Sequence, residues 1–252
     1  MPALDSRPAN IAHLRSIATS TAEYRTIPFD VPELDLRLAS GGLRAGALHE
    51  ATALTCSLVD DAAVTLFLCG IAARVAAISA APVLWASCRS DLYAPALSQA
   101  GLSSAAVIHA QPRDDAELLA VVEDAIRDGT PATIVAEAEK VSMVASRRLQ
   151  LAAADADLPV LLLRRRRRRD HDPFSEPSAA WTRWRIASAP SEMLGVAGVG
   201  RPRWTVELAR QRAGESFSLI VEGSDETGRL RVPAALGHRT AETAGAVHHA
   251  AA

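Results

Sequence analysis

The chain has 252 residues, 49% hydrophobic and 22% charged, the composition of a folded protein with room for one large domain or two small ones. Its formal net charge of −2 excludes a wholly basic nucleic-acid coat. Nearly every cation is arginine and Lys140 is the one lysine, a bias that also inflates arginine runs.

Cys56, Cys69 and Cys88 are odd in number and form no CxxC pair, so small buried hydrophobes in a reducing compartment are expected, not a disulfide framework. The histidines have no ligand spacing; His248 and His249, in an Ala-rich tail, would bind metal only adventitiously. No cofactor and no metal are expected. No charged start followed by a long apolar stretch opens the chain, so a cytoplasmic location is expected. Ala62–Ala81 is apolar but interrupted by Arg74 and several polar residues, and reads as a buried helix with no membrane role.

In chain order, Pro8–Ser20 reads as a weak amphipathic helix with Ile11, Leu14 and Ile17 at three-residue spacing. Residues 1–30 are therefore expected to be a helical arm and linker. Strands and helices then alternate. Strands are expected at Ala47–Ala51, Pro82–Ser87, Ala105–Ala110, Ala132–Ala138 and Pro159–Arg164. Helices are expected at Ala62–Ser79, Leu92–Ala100, Asp114–Asp128 and Val141–Ala156; Leu118, Leu119, Val122 and Ile126 share a face, and Gly129 closes that helix. Such alternation means a parallel sheet covered by helices. After the six arginines Arg164–Arg169 and a Pro/Ser/Asp loop come three strand-like segments, Trp181–Ala187, Arg203–Ala209 and Ser216–Glu222. The turn "GESF" before the last suggests a hairpin, so the sheet should gain an antiparallel edge. Residues 31–222 are expected to form the core domain, and 223–252 a flexible tail.

The stretch "GGLRAGALHEATALTCSLVDDAAVTLFLCGIAARV", Gly41–Val75, has the frame of a phosphate-binding loop: glycine turn, strand, loop, apolar helix. Such a loop needs glycines whose N–H groups close round phosphates, a lysine, and a Ser or Thr for magnesium. Ala51–Ala62 has neither glycine nor lysine, and it sets Asp60 and Asp61 at the helix start, where carboxylates suit the helix dipole and repel triphosphate. Catalysis by this loop is not expected.

The segment "ELDLRLASGGLRAGALHEATA" resembles the stretch that precedes the phosphate loop of RecA recombinases, and Val83–Val141 is similar to the RecA segments that follow. The resemblance spans Leu34–Glu222 and implies a RecA-like three-layer α/β fold, mostly parallel with antiparallel C-terminal strands. It also sets Ser87 about where RecA carries its catalytic glutamate, and Glu137 where the magnesium-associated aspartate would stand. One DNA-binding loop is missing, and the other falls at the arginine run. With "ASRRLQLAA" and "RWTVELARQRAGESF", the chain resembles the ImuA family, itself grouped loosely with the cell-division inhibitor SulA.

That resemblance implies an accessory factor of SOS-induced translesion synthesis. Its partners would be ImuB, an inactive Y-family polymerase homologue, and an error-prone polymerase. A divergent ATPase and a SulA-like inhibitor are the alternatives. Arg164, Arg165, Arg166, Arg167, Arg168 and Arg169 are the candidates for contact with DNA or an acidic partner, against a solvated charge run. Ile11, Leu14 and Ile17 are candidates for docking on RecA, on a second copy or on ImuB, against packing on their own core. Trp181, Trp184 and Trp204 either stack on bases or pack. Glu50, Asp60 and Glu137 read as remnants or caps, and Ser87, His109 and Asp114 form no defensible triad.

Overall fold

In the computed structural model residues 24–192, 198 and 200–233 are described. The docking candidates Ile11, Leu14 and Ile17, His248 and His249, and the tail from residue 234 lie outside them. Among the described residues ten strands and five α-helices follow one another: β1 (Thr26–Ile27), α1 (Pro32–Asp35), β2 (Leu43–Arg44), β3 (Leu48–Ala53), α2 (Leu58–Ser79), β4 (Val83–Ser87), α3 (Ala94–Gln99), β5 (Val107–Ala110), α4 (Asp115–Asp128), β6 (Thr133–Ala138), α5 (Met143–Asp155), β7 (Val160–Arg164), β8 (Thr182–Ala189), β9 (Arg203–Gln211) and β10 (Phe217–Glu222). Eight strands form one sheet in the order β10-β9-β8-β3-β7-β6-β4-β5, and β1 pairs with β2 apart from it.

The strands β3 to β8 are parallel, and β9 and β10 add an antiparallel edge. The first of the three C-terminal strands is thus not part of that edge. β8 pairs parallel to β3, with His49 opposite Thr182 and Ala53 opposite Ile186.

Alternation along the strands divides the core between two faces. Val83, Trp85, Val135, Leu161, Leu163, Trp184 and Ile186 pack beneath α2, while Leu84, Ala86, Ile134, Ala136, Val160 and Leu162 pack beneath α4 and α5. The helix α2 is apolar on nearly every side because it is covered on nearly every side. Val64, Phe67, Leu68 and Ile71 meet the sheet, and it is the one helix among the described residues long and apolar enough to cross a membrane. It begins at Leu58 rather than Ala62, with Ser57 as N-cap accepting from Asp60 N at 3.1 Å, and ends on Ala80 at φ 52°.

The packed core runs beyond 31–222 at both ends. Ile27 and Phe29 are buried against α2 and Trp184. Past Glu222 the chain crosses back over α2: Leu230 is buried, and Arg231 O accepts Glu222 N at 2.6 Å. A side chain at Gly70 would collide with Ser224, and one at Gly101 with the Gly228 backbone, so both glycines permit this close crossing. Residues 223–233 are polar in sequence yet belong to the fold.

Candidate functional site

In an open parallel sheet, loops at the C-terminal ends of the strands converge, and ligands gather there. Here the link from β3 to α2 is Leu54–Ser57. Leu54 N bonds Ile186 O at 2.8 Å, Thr55 Oγ1 donates to Asp60 Oδ2 at 2.5 Å, and Asp60 Oδ1 accepts Ser188 N at 2.8 Å. Asp60 therefore ties the link to β8, and the cap is Ser57; neither aspartate caps the helix.

Asp61, one residue on, faces the buried guanidinium of Arg165 and pairs with its Nη1. The same guanidinium donates Nε (3.1 Å) and Nη2 (2.5 Å) to Glu137 Oε2. Glu137 also accepts from Trp85 Nε1 at 2.6 Å and Ser87 Oγ at 3.1 Å. Ser87 and Glu137 are thus brought together, around an arginine from β7's end. Burial opposes the Arg165 cation, but Glu137 and Asp61 outweigh it and raise its pKa above the ordinary value.

Adjacent strand residues point to opposite faces, so Arg164 turns away from α2. It is wholly buried. Its Nη1 lies 3.6 Å from Glu50 Oε1 and its Nη2 2.6 Å from Glu176 Oε2. Glu50, equally buried, accepts from Ser178 Oγ at 2.6 Å and Arg183 Nε at 2.8 Å. Burial depresses the pKa of Arg183, with Glu50 partly offsetting it. Sequence reasoning missed this partner. Its signal was there: "TRWRI" puts two arginines on one face of a strand inside the sheet, and each needs a carboxylate.

The arginine run is therefore not one contact surface. Arg164 and Arg165 are internal, Arg166 is half-buried with Nη1 on Leu54 O at 2.8 Å, and Arg167, Arg168 and Arg169 are exposed. Arg167 pairs with Glu139, and Arg168 with Asp170 at 2.7 Å. They line a cleft of about 630 Å³ with Lys140, Ser142 and His171. Trp184 and Trp204 are core residues; Trp181 lies at the opposite end of the strands, half-buried. His109 is exposed on β5, and among the described residues no cluster of His, Cys, Asp and Glu has metal-site geometry.

No family model matches the chain. The solved structure of RadB recombinase superposes with a TM-score of 0.55 at 14% identity, covering 82% of this chain and 99% of that one, so the fold is RecA-like. The chain is 35% identical over 204 residues to Protein ImuA of Caulobacter vibrioides, in two strains, over 79% of this chain and 84% of the relative. With that identity over most of both lengths, the chain belongs to the ImuA family.

Proposed function

We propose that the protein is a non-catalytic RecA-like accessory factor of damage-induced translesion synthesis, acting in the cytoplasm with an ImuB-like partner and an error-prone polymerase. Family membership supports the pathway. The non-catalytic part rests on one observation: Arg165 is clamped between Asp61 and Glu137 at the head of α2. The four residues of the link, Leu54–Ser57, supply no glycine and no lysine for phosphates. A triphosphate here would meet the carboxylates of Asp60, Asp61 and Glu137, and would have to displace two of them from Arg165. Each like-charge contact at about 4 Å costs ~1 kcal/mol in water and several times that when half-buried. The residues present do not fit a nucleotide.

Titration with a fluorescent ATP analogue and magnesium tests this. No saturable binding is expected. Saturable binding that disappears on changing Thr55 and Asp61 would replace the accessory reading with a divergent ATPase. Co-purification with the ImuB-like protein is expected as well; capture of the division GTPase instead would favour the SulA-like alternative.

A further inference from the structure

A second cationic cluster lies at the opposite, N-terminal end of the parallel strands. Arg44 ends β2, Trp181 immediately precedes β8, and Arg212 follows β9, its N–H bonding Trp181 O at 3.0 Å. Arg210, near the end of β9, and Arg212, in the turn that follows, lie close enough for their charges to interact. The Arg44 guanidinium sits 3.5 Å from the centroid of the Tyr24 ring and 4.3 Å from that of Trp181, with Arg212 at 5.0 Å from Trp181. Arg210 and Arg212 donate to the carbonyls of Ser178, Ala179 and Ala180 at 2.8–3.0 Å.

Among the described residues, none of these three arginines makes an ion pair, whereas Arg164, Arg165, Arg167 and Arg168 of the run all do. The neighbouring carboxylates are taken: Asp157 by Arg25 at 2.8 Å and Glu50 by Arg183. Glu215, on the turn into β10, makes no ion pair with Arg212. Burial first, then the nearby Arg210 and Arg44, lower the pKa of Arg212, so the cations are close enough to repel. Tyr24 is 44% exposed and Trp181 half-buried, so each ring keeps some surface open beside the guanidinium groups that lie over it.

We propose that this surface binds single-stranded nucleic acid, Arg44, Arg210 and Arg212 meeting phosphates and the Tyr24 and Trp181 rings meeting bases. Cations interleaved with rings suit a strand of stacked bases on a charged backbone; an acidic peptide would use the guanidinium groups and leave the rings idle. The inference rests on the reading of the protein as a DNA-damage accessory and takes the nucleic-acid contact away from the arginine run.

The test is fluorescence anisotropy of a labelled oligothymidylate against salt. Replacing Arg44, Arg210 and Arg212 by Gln should flatten the slope of log K on log salt by about 2, since each phosphate contact on a single strand contributes ~0.7. The same three positions changed to Lys should keep the slope, which separates lost charge from lost folding. Arg167, Arg168 and Arg169 changed to Ser should keep it too. Trp181→Phe should weaken binding less than Trp181→Ala, which is expected to lose about tenfold. An unchanged slope in the Gln variant, or no oligonucleotide binding by the parent protein, overturns the proposal. Tighter binding of polyglutamate than of the oligonucleotide moves the surface to an acidic partner and overturns it as well. Saturable ATP binding with the Gln variant still defective for the oligonucleotide would sink the accessory reading and leave this surface standing.

Discussion

The arginine run from β7 and the cluster of Arg44, Arg210 and Arg212 are built from the same side chain and end in different electrostatic states: among the described residues Arg164, Arg165, Arg167 and Arg168 are ion-paired, and none of the cluster's three is. In the run, strand geometry sends Arg164 to one face, where Glu50 and Glu176 wait, and Arg165 to the other, where Asp61 and Glu137 do. The cluster lies against ring faces and carbonyls, and none of its three arginines makes an ion pair within the described residues. Topology, by deciding which carboxylate stands opposite, turns one set of arginines into internal struts and leaves the other facing outward. A run of cations in sequence is thus no guide to where unpaired charge gathers on the fold.

Breaking the run from inside should have the largest effect. Glu50→Ala leaves Arg164 and Arg183 buried without their shared carboxylate, and a loss of about 3–5 kcal/mol is expected in denaturant unfolding. A loss under ~1 kcal/mol would mean that water reaches these groups and that Arg164 is no internal strut.

The cluster has its own weak point in His49. Its Nε2 donates to Arg44 O at 2.8 Å and its Nδ1 accepts from Thr182 Oγ1 at 2.7 Å. Burial lowers its pKa from 6.5 to about 4, with the Arg44 carbonyl bond acting the other way. The unfolded chain therefore takes up this proton between pH 6.5 and 4 while the native state does not. Stability is present above that window and falls through it, by on the order of 3 kcal/mol at the acid end. His49→Gln should flatten the pH dependence of the unfolding midpoint across the window; an unaltered profile would exclude His49 as its source.

At the outer end of the run the effect should vanish. Arg168 and Asp170 are exposed, and Arg168→Ser should leave the unfolding midpoint where it is. A clear drop would show that the exposed half of the run is structural too.

Much of this architecture was legible in sequence because the central strands are buried on both sides and read as short apolar runs, as in "PVLWAS" and "PVLLLR". The antiparallel β9–β10 edge was legible from the turn between its strands. The direction of β8 was not: a strand's composition does not state its partner, and Trp181–Ala187 alternates as well beside a parallel neighbour as beside an antiparallel one. The crossing of 223–233 was hidden because its contact with α2 depends on glycines rather than on apolar side chains. At the candidate site, the lack of glycine and lysine in the β3–α2 link could be read from one segment. The partners of Arg164 and Arg165 could not, since they come from β3, α2, β6 and the loop before β8.

The sheet order has a consequence for the newborn chain. β3 is the first strand of the large sheet to be made, yet both of its neighbours arrive late: Thr52 Oγ1 bonds Arg164 O, 112 residues further on, and β8 follows only after that. The segment that crosses α2 comes later still. On the ribosome, this long apolar helix must therefore wait for β7 and β8 before its sheet is complete, and for residues 223–233 before it is covered. That interval exposes it to chaperones or to misassociation. A stop codon placed just before Gly223 would make the wait permanent for the part of α2 beneath the crossing.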